Sequence, residues 1–74
     1  MFAARYIDLG ARIKYYRNLK KISQTILADK VGINRQYLSR IECGNAKPSI
    51  DLLFRIADIL EVNISLIVKD DRKI

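Results

Sequence analysis

The chain contains no histidine and a single cysteine, Cys43, among its 74 residues. An internal disulfide cannot form, and the usual zinc constellations cannot be assembled. With no histidine, no glycine-rich phosphate loop and no carboxylate cluster at metal-ligand spacing, neither an enzyme nor a bound metal or cofactor is expected. No apolar run approaches the ~20 residues needed to cross a bilayer, and Met1 to Arg5 lead into no stretch suited to a signal peptide. These absences read as a cytoplasmic chain with no membrane partner. There is also no aromatic platform of the kind that stacks unpaired bases, which argues against RNA and single-stranded DNA.

What is present is a modest apolar complement, 50% of the residues, spread along the whole length. That suffices for one small core without disulfides or metal, and pairing of copies would add stability. We expect one domain over residues 1–74, with its core within 7–68 and a charged tail at 69–74. The net charge of +6 is uneven: up to Arg40 there are nine Lys or Arg against two acidic residues, and after it five against six. A basic half joined to a near-neutral half suits a protein that faces a polyanion with one side, although a solvated basic face would look the same.

Apolar periodicity divides the chain into helices. Leu9, Ile13 and Tyr16, with the stem of Lys20, form a stripe on a first helix that ends near 18–21. Ser23 suits an N-cap for a helix over Gln24 to Val31, with Leu27, Ala28 and Val31 inward and Gly32 as the stop. Asn34 is again an N-cap type, so the turn is about three residues, and the next helix runs from Arg35 to about Cys43 with Leu38 and Ile41 inward. Ser49 caps a fourth, strongly amphipathic helix whose Ile50, Leu53, Ile56, Ala57 and Leu60 face the core and whose Asp51 and Asp58 lie on the solvated side. Asn63 suits the cap of a short fifth helix with Ile64, Ile67 and Val68, though this β-branched run also reads as a strand; helix is the preferred reading.

The third helix leaves Arg35, Gln36, Ser39 and Arg40 pointing away from its apolar side. A small Ala28 at a helix crossing, a turn glycine at Gly32, and Leu38 with Ile41 locking one helix onto the other give the spacing of a helix-turn-helix. The same spacing fits an ordinary helical hairpin in a small bundle.

The segment from Ser23 through Gln24, Ala28 and Gly32 to Asn34 resembles the helix-turn-helix of the Cro and phage-repressor type, also called the xenobiotic-response-element family. The likeness extends over Leu9-Gly10, Arg12-Ile13 and Arg17 upstream, and over Leu38 to Glu42, Gly44, Lys47-Pro48-Ser49, Leu53 and Ile56 to Leu60 downstream, so it covers roughly Leu9 to Val68. It implies an all-α, five-helix bundle in which Gln24 bonds a phosphate of double-stranded DNA and the third helix enters the major groove. Arg35, Gln36 and Arg40 fall on the base-reading positions, with Asn34 and Ser39 as secondary candidates. The chemistry agrees, since guanidinium can bridge guanine O6 and N7 and a glutamine amide can pair with adenine.

The resemblance also places Arg17 and Glu42 as a partly buried ion pair, with a phosphate contact as a further role for Arg17. Tyr37 reads either as a groove and phosphate contact or as part of the core. Asn45 and Lys47 are expected at phosphates, where positive charge adds affinity without sequence choice, and Arg12, Lys14, Lys20 and Lys21 add to the field. Cys43 replaces a polar residue at a site facing the DNA backbone; it reads as a small, partly buried filler or, less readily, as a redox switch. Leu66 stands where the family often has a polar residue, which makes Ile64, Leu66, Ile67 and Val68 an apolar set suited to a homodimer interface. Two copies would place their reading helices about one DNA turn, roughly 34 Å, apart on a pseudo-palindromic operator. The expected function is a sequence-specific DNA-binding transcriptional regulator. The alternative is an antitoxin-like module that binds a protein partner, with DNA binding secondary.

Overall fold

Four residues with short oxygen-bearing side chains begin four of the helices. Ser23, Asn34, Ser49 and Asn63 each hold an extended backbone and accept a hydrogen bond from an N–H in the first turn that follows, at 3.1, 2.7, 3.1 and 2.9 Å. Each bond satisfies a donor that the helix itself leaves unpaired. The computed structural model describes residues 2–68, with side chains from Tyr6 onward; the charged tail expected at 69–74 lies outside the described residues. Among these the regular elements are α1 (Phe2–Leu19), α2 (Gln24–Val31), α3 (Arg35–Glu42), α4 (Ile50–Leu60) and α5 (Ile64–Ile67), with no strand. The open choice at 64–68 is thus resolved as helix.

The stops differ in chemistry. Gly32, at φ 84°, closes α2 by donating to the Ala28 carbonyl at 2.9 Å, as its freedom from a Cβ permits. Arg55 of α4 adds a donor at the same end, reaching the Val31 carbonyl at 2.8 Å. By contrast α4 is closed by Glu61 at φ 59°, and the turn after α1 passes through Lys21 at φ 60°, both non-glycine residues in the left-handed region. Nothing in the residue types there signalled either turn. Lys20 and Glu61, one from each turn, form an exposed ion pair, so Lys20 serves this link rather than the apolar stripe of α1.

The core gathers Ile13 of α1, Leu27, Ala28 and Val31 of α2, Leu38 and Ile41 of α3, five residues of α4 and Ile67 of α5. Helix α1 lies against α3, α4 and α5, while α2 lies against α3 and α4. One expectation is corrected: Ile50 is 63% exposed, and Leu52, at 3%, takes the inward place. Helical periodicity gives the direction of a side chain but not where its neighbours end. Ile50 opens α4, and its Cβ tilts back toward the N-terminus, past the core.

Candidate nucleic-acid interface

Helix α3 is backed by Leu38 and Ile41, which are fully buried, so its opposite side is held rigidly outward. At 3.6 residues per turn, positions 35, 36, 39 and 40 fall within about 140° of arc. Arg35, Gln36 and Arg40 are exposed there and Ser39 is half-buried. Arg40 is braced, its Nη2 donating to the Asn45 carbonyl at 3.3 Å, which ties the helix to the loop that follows. Asn34 is exposed, but its Oδ1 is committed to the Tyr37 N–H, leaving its amide nitrogen as the outward group. Tyr37 is half-buried: its side chain packs against the core, and part of the residue remains at the surface.

Beside this face, Gln24 opens α2. Its Nε2 donates at 2.9 Å to Oε1 of Glu42, the last residue of α3. Glu42 in turn receives a two-point contact from Arg17 of α1, Nε to Oε2 at 2.7 Å and Nη2 to Oε1 at 3.0 Å. Arg17 Nη1 donates to the Ile22 carbonyl at 2.9 Å. The pair is more deeply buried than expected, with side-chain exposures of 10% and 2%. The phosphate contact suggested for Arg17 is therefore corrected: all three nitrogens of its guanidinium are engaged inside the protein. The Gln24 bond to Glu42 was not anticipated, because a glutamine eighteen positions before a glutamate carries no sequence signal of contact.

Past α3, Cys43, Asn45 and Lys47 are exposed along one loop. The reading of Cys43 as a partly buried filler is corrected, since the thiol stands in the open at the C-terminus of α3. Of the distributed basic residues, Lys14, Lys20 and Lys21 are exposed, whereas Arg12 is partly buried and its Nη1 donates to the Ile67 carbonyl at 3.5 Å.

The apolar set at the other end divides. Ile67 is fully buried in the chain's own core and has no surface to offer another copy, a correction to its place in the expected interface. Ile64 is half-buried, while Leu66 and Val68 are about two-fifths exposed. Leu66 lines a shallow groove with Ala11, Arg12, Tyr15 and Tyr16 of α1. Tyr15 lies off the core stripe of α1, which is why periodicity passed it over; its ring meets that of Tyr16 edge to face at 5.0 Å. No helix among the described residues is long and apolar enough to cross a membrane.

Two short helices joined across Gly32, the second with a rigid polar outer face, the pair packed between α1 and α4, define an all-α helix-turn-helix domain. A family model described as helix-turn-helix matches residues 13–67, and the chain belongs to that family. An uncharacterised helix-turn-helix-type transcriptional regulator of Methanocaldococcus jannaschii is 42% identical over 62 residues, 81% of this chain and 94% of that one. The immunity repressor protein of Bacillus phage phi105 is 36% identical over 65 residues, 88% of this chain but 45% of the repressor, so the chain spans about half the length of that relative. Among solved structures, the N-terminal DNA-binding domain of SinR from Bacillus subtilis superposes with a TM-score of 0.77 at 35% identity, covering 88% of this chain and 96% of that domain.

Proposed function

We propose that this chain binds double-stranded DNA as a sequence-reading transcriptional regulator in the cytoplasm, with α3 in the major groove. The observation that carries this reading is the outer face of α3, where Arg35, Gln36 and Arg40 stand exposed on a helix whose other side is locked into the core. Two guanidinium groups and an amide on one rigid rod match the donor and acceptor patterns of base edges, and each good pair discriminates by ~1–3 kcal/mol. Asn34 and Ser39 flank them. Gln24, Tyr37, Cys43, Asn45 and Lys47 border that face and serve the phosphates on either side of the groove. The names of the phage repressor and of the SinR domain support the same class.

The regulator acts as a homodimer on a pseudo-palindromic operator, with Leu66 and Val68, edged by Ile64, covering one another across a two-fold axis. Support comes from the exposure of both residues and from the place of Leu66 in the groove against α1.

Fluorescence anisotropy tests the reading, using a labelled duplex from upstream of the chain's own gene beside a shuffled duplex, at low and near-physiological salt. Tighter binding of the upstream duplex that survives added salt supports base readout at that site. Equal, salt-sensitive binding of both means phosphate attraction alone and moves the operator elsewhere. Absence of binding to either at low salt rejects the reading and favours a protein partner.

A further inference from the structure

We propose that Glu42 is a positioning residue for DNA binding, in which a buried carboxylate held by Arg17 turns the Gln24 amide so that its second N–H is presented to a backbone phosphate. The inference rests on the DNA-binding reading above and adds a role for the ion pair beyond stability.

A glutamine side chain has two donors and an acceptor on a rotatable amide, so a surface glutamine offers a phosphate either its oxygen, which repels, or its nitrogen, which binds. An ionised carboxylate removes that ambiguity because it only accepts. The bond from Gln24 Nε2 to Glu42 Oε1, at 2.9 Å, fixes which end of the amide lies beside the carboxylate, engages one N–H of that nitrogen and leaves the second on the same atom for another acceptor. Glu42 cannot swing to follow the amide. Its two oxygens are held by Arg17 at 2.7 and 3.0 Å, and Arg17 is held in turn by the Ile22 carbonyl. The Arg17 charge also offsets the carboxylate, which would otherwise repel a nearby phosphate. Gln24 is the first residue of α2, where unpaired backbone N–H groups and the helix dipole favour the same anion. One residue each from α1, α3 and α2 thus forms a relay of fixed geometry from the core to the surface.

The test uses a mixed-sequence duplex at low salt, because a phosphate contact does not depend on base order. Replacing Gln24 by Ala should weaken binding about tenfold in the native background, the scale of one charge-assisted hydrogen bond, and less than about twofold in the Glu42→Gln background. Equal losses in both backgrounds would overturn the proposal. Should Glu42→Gln fail to fold, the side-chain NH2 of Gln24 in the intact chain, followed by NMR during titration with the same duplex, gives the answer independently. The proposal requires the resonance of the Glu42-bonded proton to hold its place while the other proton shifts. Displacement of both, or collapse of the two into one, means that DNA breaks the bond, and Glu42 is then a competitor rather than a positioner. A duplex that does not bind at all overturns the DNA-binding reading itself, an outcome distinct from binding in which the two protons misbehave.

Discussion

A Cβ placed on Gly10 would lie 2.2 Å from the carbonyl oxygen of Ile41, and 2.6 Å from that of Glu42. Helix α1 therefore crosses the C-terminal end of α3 backbone to backbone, with no room for a side chain between them. Helix propensity alone says that Gly10→Ala should stabilise α1 by up to ~1 kcal/mol. The contact says the opposite, because two carbonyl groups cannot yield as a flexible side chain would. We expect Gly10→Ala to destabilise by at least ~1–3 kcal/mol, the range for overpacking. Chemical denaturation decides, and a rise in stability would show that α1 can lift away without loss.

The Arg17–Glu42 pair leads to a second expectation. Removing one member strands the other charge in a site where Glu42 is nearly sealed from water, and such losses run to ~3–5 kcal/mol. Glu42→Ala should consequently lower the thermal midpoint sharply in a domain this small. The joint replacement Arg17→Met with Glu42→Leu should recover most of that stability, since it removes both desolvation penalties together. A Glu42→Ala melt indistinguishable from the native one would mean that water reaches the pair.

The elements of the fold were legible because their signals are local. Ser23, Asn34, Ser49 and Asn63 mark helix starts by a side chain bonding two or three residues onward, and Gly32 marks a stop by its own backbone. The outer face of α3 was legible for the same reason, being the complement of Leu38 and Ile41. The contacts of Gly10 with Ile41, Gln24 with Glu42, and Arg55 with Val31 are long-range, and nothing in the spacing of one sequence announces them. Ile50 and Ile67 show the limit of periodicity: one shares the stripe of α4 yet stands beyond the end of the core, and the other belongs to a set that looked too apolar to hide until α1 and α4 closed over it.

Lys20 holds the Glu61 carboxyl below the usual glutamate range, first by their hydrogen bond and then by charge attraction. A lowered carboxylate pKa in the folded chain contributes stability above the unfolded-state value and loses it as pH falls through the folded one. The pair is exposed and therefore screened, so its mark is the titration rather than the melting temperature. We expect the Glu61 carboxyl, followed by NMR, to titrate lower in the native chain than in Lys20→Ala, and the gap to close in 1 M salt. Identical titrations in the two chains would show that the pair is not populated in solution.

Leu66 is 43% exposed beside Tyr15 and Tyr16, a poor place for a leucine unless something covers it. A charge there is harmless to a monomer and harmful to a dimer, because two copies related by a two-fold axis bring like charges together in an apolar seam. Leu66→Asp should retain the native melting profile at low concentration, shift the sedimenting species to monomer mass, and weaken operator binding. Unchanged mass together with unchanged affinity would reject the proposed contact through Leu66.

Lys47 and Arg35 are both exposed cations, one in the loop after α3 and the other at its first residue, and under the proposed function they do different work. A lysine at a phosphate releases a counterion whatever the base sequence, so Lys47→Ala should weaken binding about equally on every duplex and reduce the slope of log affinity against log salt by about 1. An arginine at a base edge acts on one position of the site. Arg35→Ala should cost ~1–3 kcal/mol on the preferred duplex, much less on a shuffled one, and leave the salt slope nearly unchanged. Measuring both variants on both duplexes across a salt series separates the two roles. A uniform loss with a reduced slope for Arg35→Ala would make that residue a backbone contact and leave base reading to Gln36 and Arg40.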